Sequence, residues 1–247
     1  VLVTRPDGQS AGLCRLIDAA GGRPVPFPAI RILPASEPER ARRLLADPAD
    51  LLVFISRNAV ERALPLFPGG RLPEAPRLAA VGRATARALA SAGRAPDLVP
   101  DGRYDTESLL ELAQLQDLRG QRVVIVRGEG GRPALGDGLR QRGAEVSYAE
   151  VYRRAPTDAD PGPLLERWGR DVQLVTATSG EILENLIHSF GARRGSPLFA
   201  TPLIVVSERT ARRARQAGFR RVLTARRADD RALVEALCLG ASDVTPD

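Results

Sequence analysis

Short apolar runs alternate along this chain with stretches whose apolar residues recur at helical spacing. The runs are VLVTR, RPVPFP, LLVFIS, RLAAVG and APDLVP in the first half, and VVIVRG, EVSYAEV, QLVTAT, LIVVS and RRVLTA in the second. Runs that are continuous rather than alternating mark strands covered on both faces, and the helical stretches between them supply the covers. The pattern therefore predicts βαβ units around mainly parallel sheets. Five such strands in each half, joined by right-handed crossovers, give a doubly wound, flavodoxin-like layer twice over.

The two halves also repeat each other in detail. VGRATARALASAG (81–93) and VSERTARRARQAG (206–218) agree at six of thirteen positions and align Thr85 with Thr210. DLLVFISRNAVERAL (50–64) parallels DVQLVTATSGEILENL (171–186), which aligns Ser56 with Ser179. YDTESLLELA (104–113) parallels ADDRALVEAL (228–237), and the opening βα pattern parallels RVVIVRG (122–128) onwards. Matched segments in the same order, offset by about 121–125 positions, indicate a duplicated half rather than a solenoid.

PFPAIRILPASEP (26–38) and AEVYRRAPTDADPGP (149–163) occupy equivalent places and are rich in proline. Proline removes ladder donors, so these segments are excluded from central strands and read as linkers. Two equivalent linkers permit an exchanged arrangement, in which the opening βα unit completes the sheet built by residues after 160. An unexchanged chain would instead divide near 120; local pattern does not choose between the two.

Composition narrows the chemistry. The 247 residues hold 43% hydrophobic and 27% charged residues, an ordinary globular balance. No run is long and apolar enough for a membrane helix, and no charged-then-apolar leader opens the chain, which points to the cytoplasm. The first residue is Val rather than Met, so a few residues are expected to precede it. All 36 cations besides the lone histidine are arginine. With no lysine, Schiff-base, pyridoxal-phosphate and P-loop chemistry are excluded. One histidine, His188, and two cysteines, Cys14 and Cys238, leave little for a metal site, a disulfide framework or a Ser-His-Asp triad. His188 reads as a surface or boundary residue, and both cysteines read as small buried thiols. A net charge of +6 favours an anionic partner. The arginine-rich RTARRARQAGFRR (209–221) comes with only 4% aromatics and no nucleic-acid reader motif, so it reads as the solvated face of a helix. RGEGGRP (127–133) fits neither a dinucleotide fingerprint nor a P-loop. The tail GASDVTPD (240–247) is expected to be disordered.

Ligands of such sheets bind beyond the carboxyl ends of the strands. The chain places hydroxyl and glycine residues there: Thr4-Arg5-Pro6, Ser56-Arg57-Asn58, Gly82 to Thr85, Arg127 to Gly131, Thr178-Ser179-Gly180 and Ser207 to Thr210. Each is expected to be a helix N-terminus, whose free N–H groups suit carboxylate or phosphate. The alternative is that the hydroxyls are plain N-caps.

With VTRP (3–6), FISRNAVE (54–61), AVGRATARAL (80–89), TESL (106–109), EVYRR (150–154), TSGEILENL (178–186) and SERTA (207–211), the chain resembles the uroporphyrinogen-III synthase family over nearly its whole length. The resemblance implies two flavodoxin-like doubly wound parallel-sheet domains joined by a two-stranded linker, with the N-terminal βα unit exchanged into the C-terminal domain. The domains would be 1–31 plus 157–247 and 36–150, with linkers at 32–35 and 151–156. It implies cyclisation of hydroxymethylbilane, bound in a cleft between the domains, to uroporphyrinogen III with loss of water and inversion of ring D. It also implies no metal, no organic cofactor, no nucleic acid or membrane partner, and a monomer with room for transient contact with the preceding pathway enzyme. Tyr152 matches the family's functionally sensitive tyrosine. Two roles are open to it: proton donor to the leaving hydroxyl, or ring packing at the domain junction. Arg5, Ser56, Arg57, Thr85, Arg127, Gly128, Thr178, Ser179, Gly180 and Thr210 fall at substrate-binding positions. Glu208 departs from the family pattern and places a like charge near one proposed carboxylate loop. A non-catalytic synthase-like module that senses a tetrapyrrole or other polyanion is the alternative reading.

Overall fold

A computed structural model of the chain describes residues 1–101, 105–191 and 196–242. Its contacts divide into two compact units, Val1–Arg31 with Ala155–Asp247, and Ile32–Arg154. The chain opens with β1 (Leu2–Val3), α1 (Ala11–Ala19) and β2 (Val25–Pro26). β3 (Ile30–Pro34), α2 (Pro38–Ala46), β4 (Leu51–Phe54), α3 (Arg57–Ala63), β5 (Arg77–Ala80) and α4 (Arg83–Ser91) follow. Next come α5 (Thr106–Leu110), β6 (Arg122–Gly128), α6 (Ala134–Gln141) and β7 (Glu145–Pro156). The final stretch carries α7 (Gly162–Leu165), α8 (Trp168–Asp171), β8 (Val175–Ala177), α9 (Gly180–Leu186), β9 (Leu203–Val205), α10 (Glu208–Gln216), β10 (Val222–Thr224) and α11 (Asp230–Ser242).

The first unit has the strand order β10-β9-β8-β1-β2, with every described pair parallel. Numbered within the unit, that is the flavodoxin-like order 2-1-3-4-5. The second has β3-β7-β6-β4-β5, and beyond β5 the bridge Ala79–Leu98 stands where a fifth strand would be. With β3 set aside and β6 counted first, its order is also 2-1-3-4-5. The opening β1–α1–β2 thus fills in the first unit the place that β6–α6–β7 fills in the second. The exchanged arrangement that the sequence left open is the one adopted.

Period-two side-chain alternation sorts the second sheet's residues onto two covered faces. Leu52, Phe54, Leu78, Ala80, Val124 and Val126 pack with residues of α2, α3 and α4. Leu51, Val53, Ala79, Val123 and Ile125 pack with Leu109 of α5 and with Leu135 and Leu139 of α6. In the first unit Val3 and Ile204 pack against α1 through Leu13 and Ile17, and against α11 through Leu233 and Leu237.

The two-residue strand β1 has few backbone bonds to hold it in place. Two buried threonines reinforce it: Thr4 Oγ1 donates to the Thr176 carbonyl at 2.7 Å, and Thr176 Oγ1 donates to the Leu2 carbonyl at 3.0 Å. Both side chains are fully buried, so an isosteric valine gives up a hydrogen bond that water cannot replace. Thr176→Val should destabilise the protein by about 0.5–1.5 kcal/mol in urea unfolding, whereas the same change at the exposed Thr224 should cost under about 0.5 kcal/mol.

Some local expectations fail for identifiable reasons. APDLVP does not form a strand, because Pro96 and Pro100 remove ladder donors and leave Leu98 alone to bridge Ala79. Cys238 is exposed, not buried, on the outer side of α11. His188 is exposed, in line with a surface reading. α11 runs through Ser242, so 240–242 are helical, and the rest of the tail lies outside the described residues. Among the described residues no helix is long and apolar enough to cross a membrane.

Candidate active site

In the second unit the carboxyl end of β4 delivers Ser56. Its extended backbone (φ −159°, ψ 161°) starts α3, and its Oγ accepts the Ala59 N–H at 3.1 Å. A serine here is therefore an N-cap, but it is more than that. The Tyr152 hydroxyl lies 3.2 Å from the same Oγ. Tyr152 sits on β7, and its ring is only 2% exposed among Phe54, Val60, Val126 and Val151. The neighbouring strand makes room for it. β6 and β7 shift register between Arg127 and Gly128, which places Gly128 opposite Tyr152. The Glu129 N–H then bonds the Tyr152 carbonyl at 2.9 Å.

Gly128 is required by this close approach and not by backbone conformation. A Cβ there would stand 2.6 Å from both Cε2 and Cζ of the Tyr152 ring. The resemblance placed Gly128 among binding residues; its contact in the structure is with the tyrosine. Gly128→Ala is expected to cost about 1–3 kcal/mol through overpacking and to displace the hydroxyl from Ser56. In a Tyr152→Leu background, which removes the ring, the same alanine should cost much less; equal losses in urea unfolding would contradict this packing.

The arginines of the expected site are not free donors. Arg127 is held by Glu150 at 2.9 Å and by the Gly131 carbonyl at 3.1 Å, with its guanidinium 3.9 Å above the Tyr148 ring. Its side chain is 12% exposed. Held largely buried by these contacts, it forms part of the wall of a cavity of about 440 Å³ shared with Ser36, Arg40, Glu129 and Glu150. Arg5 pairs with Asp230 at 2.6 Å and Arg57 with Glu61 at 2.6 Å. The Arg57 pair is half exposed on both sides, and such pairs are worth about 0–1 kcal/mol. Arg57 can thus change partner to a ligand carboxylate at little cost, whereas Arg127 would give up its contacts with Glu150, Gly131 and the Tyr148 ring.

The matching loops of the first unit repeat the design without a tyrosine. Ser179 follows the half-buried Thr178 and caps α9 by accepting the Ile182 N–H at 3.2 Å. Gly180 is again a close approach, since a Cβ would lie 2.9 Å from Arg213 Nη1. Thr85 and Thr210 are both buried, at 4% and 2% exposure, inside the first turns of α4 and α10. The twin helices also end alike, on Gly93 and Gly218 with φ of 96° and 102°, a conformation that glycine adopts without strain. They differ at the cap. Gly82 offers no side chain, while Ser207 Oγ accepts the Thr210 N–H at 3.2 Å and lies 2.9 Å from Thr210 Oγ1. The sequence reading placed Ser207 in one of the strand-end loops with plain N-capping as the alternative, and here it caps α10.

Two of the loops are not helix N-termini. α1 begins at Ala11 and α6 at Ala134, so neither Thr4-Arg5-Pro6 nor Arg127–Gly131 offers free helical N–H groups. Glu208 turns away from its loop, to Arg215 at 2.9 Å and the Thr224 hydroxyl at 3.2 Å. Those bonds, the Arg215 one first, hold its carboxyl below the usual glutamate range. The like charge is thus engaged along α10. The arginines of that helix are exposed while Thr210, Ala211 and Ala214 are buried, as a solvated face requires. Among the described residues no group of three or more His, Cys, Asp or Glu side chains is arranged to hold a metal ion.

Known proteins share this layout. A family model described as uroporphyrinogen-III synthase HemD matches residues 12–235. The uroporphyrinogen-III synthase of Escherichia coli K12 is 37% identical over 243 residues, covering 96% of this chain and 99% of its own. That of Salmonella typhimurium LT2 is 38% identical over 244 residues, with the same coverage of 96% and 99%. Among solved structures, the Helicobacter pylori enzyme superposes with a TM-score of 0.62 at 17% identity, covering 90% of this chain and 94% of its own. A mutant uroporphyrinogen III synthase from Thermus thermophilus gives 0.58 at 23% identity, covering 98% and 100%. The structures share the fold; the full-length sequence matches go further, and by them this chain belongs to the uroporphyrinogen-III synthase family.

Proposed function

We propose that this chain closes the linear tetrapyrrole hydroxymethylbilane to uroporphyrinogen III, losing water and inverting ring D, with Tyr152 as the source of the proton that releases the hydroxyl. The observation that carries this reading is sequence identity of 37% along essentially the entire length of an enzyme of that name. The Tyr152 hydroxyl beside Ser56, at the carboxyl end of a parallel sheet, supports the assignment of the proton source. Nothing observed favours a non-catalytic module.

The remaining roles are assigned from position at the ends of the strands. Ser56, Arg57 and Thr85 on one unit, and Arg5, Thr178, Ser179, Gly180 and Thr210 on the other, are assigned to the acetate and propionate carboxylates and to positioning. We assign the domains as 1–31 plus 157–247 and 36–150, with hinges at 32–35 and 151–156. The protein is assigned to the cytoplasm as a monomer, where its two free thiols would stay reduced.

The competing outcome for the substrate is direct closure without inversion. Favouring one isomer 100:1 over the other takes about 2.7 kcal/mol between two transition states, within reach of shape and a few placed hydrogen bonds. Neither metal nor cofactor is needed in this account. Purified protein should consume hydroxymethylbilane far faster than a buffer blank, at a rate unchanged by prior treatment with EDTA and dialysis. Consumption no faster than the blank would overturn the reading.

A further inference from the structure

Hydrogen-bond accounting at Ser56 gives a direction to the Tyr152 contact. A serine hydroxyl has one proton to donate and two lone pairs to accept with. One lone pair takes the Ala59 N–H at 3.1 Å. Tyr152 is only 2% exposed, and Ser56 Oγ is the one polar atom found within hydrogen-bond reach of its hydroxyl among the described residues. If Ser56 donated to Tyr152, the phenolic proton would be left in the apolar core without an acceptor. Tyr152 therefore donates to Ser56. Both Ser56 lone pairs are then occupied, and its own O–H, on a half-buried residue at the end of β4, is left to point outward. The ring cannot swing out to take its place, being wedged against Gly128 at the register shift.

We propose that Ser56 is a catalytic residue that relays the proton: it protonates the leaving hydroxyl while Tyr152 refills it. The inference rests on the reading of Tyr152 as proton source. In one concerted step the Ser56 O–H proton passes to the substrate's hydroxymethyl oxygen, the carbon–oxygen bond breaks, and water departs. The pyrrole nitrogen lone pair drives the departure and leaves a cationic azafulvenium. The Tyr152 proton moves to Ser56 Oγ, so the phenolate and the azafulvenium form an ion pair. The carbon-bound proton lost when the closed ring regains aromaticity returns to Tyr152 by the same path. No oxidant, metal or external acid enters the balance.

The test separates relay from capping and from the parent reading. Ser56→Thr keeps both hydroxyl and cap. Ser56→Asn keeps a good cap, and Ser56→Gly a tolerable one, but neither has a hydroxyl to relay. With hydroxymethylbilane as substrate and thermal unfolding as the folding check, Ser56→Thr should retain kcat within about fivefold. Ser56→Asn, Ser56→Gly and Tyr152→Phe should each lose about 10²-fold, and the double variant Ser56→Asn/Tyr152→Phe should be no slower than either single change. A folded Ser56→Asn or Ser56→Gly with near wild-type kcat, beside a slow Tyr152→Phe, overturns the relay and leaves Tyr152 acting directly. Multiplicative losses in the double variant overturn it too. A fast Tyr152→Phe instead overturns the parent reading.

Discussion

Phenylalanine at 152 is expected to fold normally and to slow turnover about 10²-fold or more, with KM little changed. The ring supplies nearly all of the packing, among Phe54, Val60, Val126 and Val151, and phenylalanine keeps it. What is lost is one hydrogen bond to Ser56, 3.2 Å long, worth about 0.5–1.5 kcal/mol of stability. The kinetic loss is larger because the phenol serves the transition state and not the resting complex. A group used only there lowers kcat and kcat/KM together. General acids contribute roughly 10²–10⁴-fold, about 3–5 kcal/mol of barrier. If the tyrosine merely packed, Tyr152→Phe would be the mildest substitution available and kcat would stay within a few fold. Steady-state kinetics with hydroxymethylbilane, alongside a urea melt, distinguishes the two.

Trp168→Ala should be the most destabilising single change in the first unit, at about 3–5 kcal/mol. Trp168 is 3% exposed, meets Phe190 edge to face at 5.2 Å, and donates Nε1–H to Thr201 Oγ1 at 2.8 Å. Phe190 in turn packs on Phe27 at 4.6 Å. Phe27 follows β2 in the opening segment, whereas Trp168 and Phe190 come from the last third of the chain. The aromatic cluster therefore fastens the exchanged segment to its sheet, and emptying its centre leaves a large cavity and weakens that join. Trp168→Phe keeps the stacking and gives up the hydrogen bond, so it should cost far less, about 1–2 kcal/mol. Urea unfolding of both variants checks the order; equal losses would mean that the indole N–H, not the packing, carries the effect.

Much of this fold was legible because the chain states it twice. The repeat aligning Ser56 with Ser179 and Thr85 with Thr210 places each pair at the same strand-to-helix turn, and continuous apolar runs gave the buried parallel strands β1, β4, β8 and β9. The exchange was a different matter. Repeats and prolines allow it, but the choice depends on non-local pairs such as Thr4 with Thr176, 172 residues apart, which no local window contains. Prolines also misled in both directions. They broke the run at 95–100, yet left β7 intact through Pro156 although that strand lies between β3 and β6, a place the proline-rich 149–163 was expected not to take.

The site was legible in residue type more than in role. Serine after an apolar run does signal a cap, and Ser56, Ser179 and Ser207 all cap helices. That Gly128 exists to seat a ring, or that Arg127 is consumed by Glu150 and Gly131, depends on register between β6 and β7. A shift at one residue pair decides which side chain meets which. Arginine count likewise overstated the donors available, because Arg5, Arg57 and Arg127 each meet a carboxylate of this chain.

The most direct test of the account is the isomer composition of the product. Hydroxymethylbilane incubated with the purified protein, oxidised and resolved chromatographically, should give predominantly uroporphyrin III against a blank that gives isomer I. Isomer I alone, at whatever rate, would contradict the account: the chain would then lack the ring inversion, however well its fold matches.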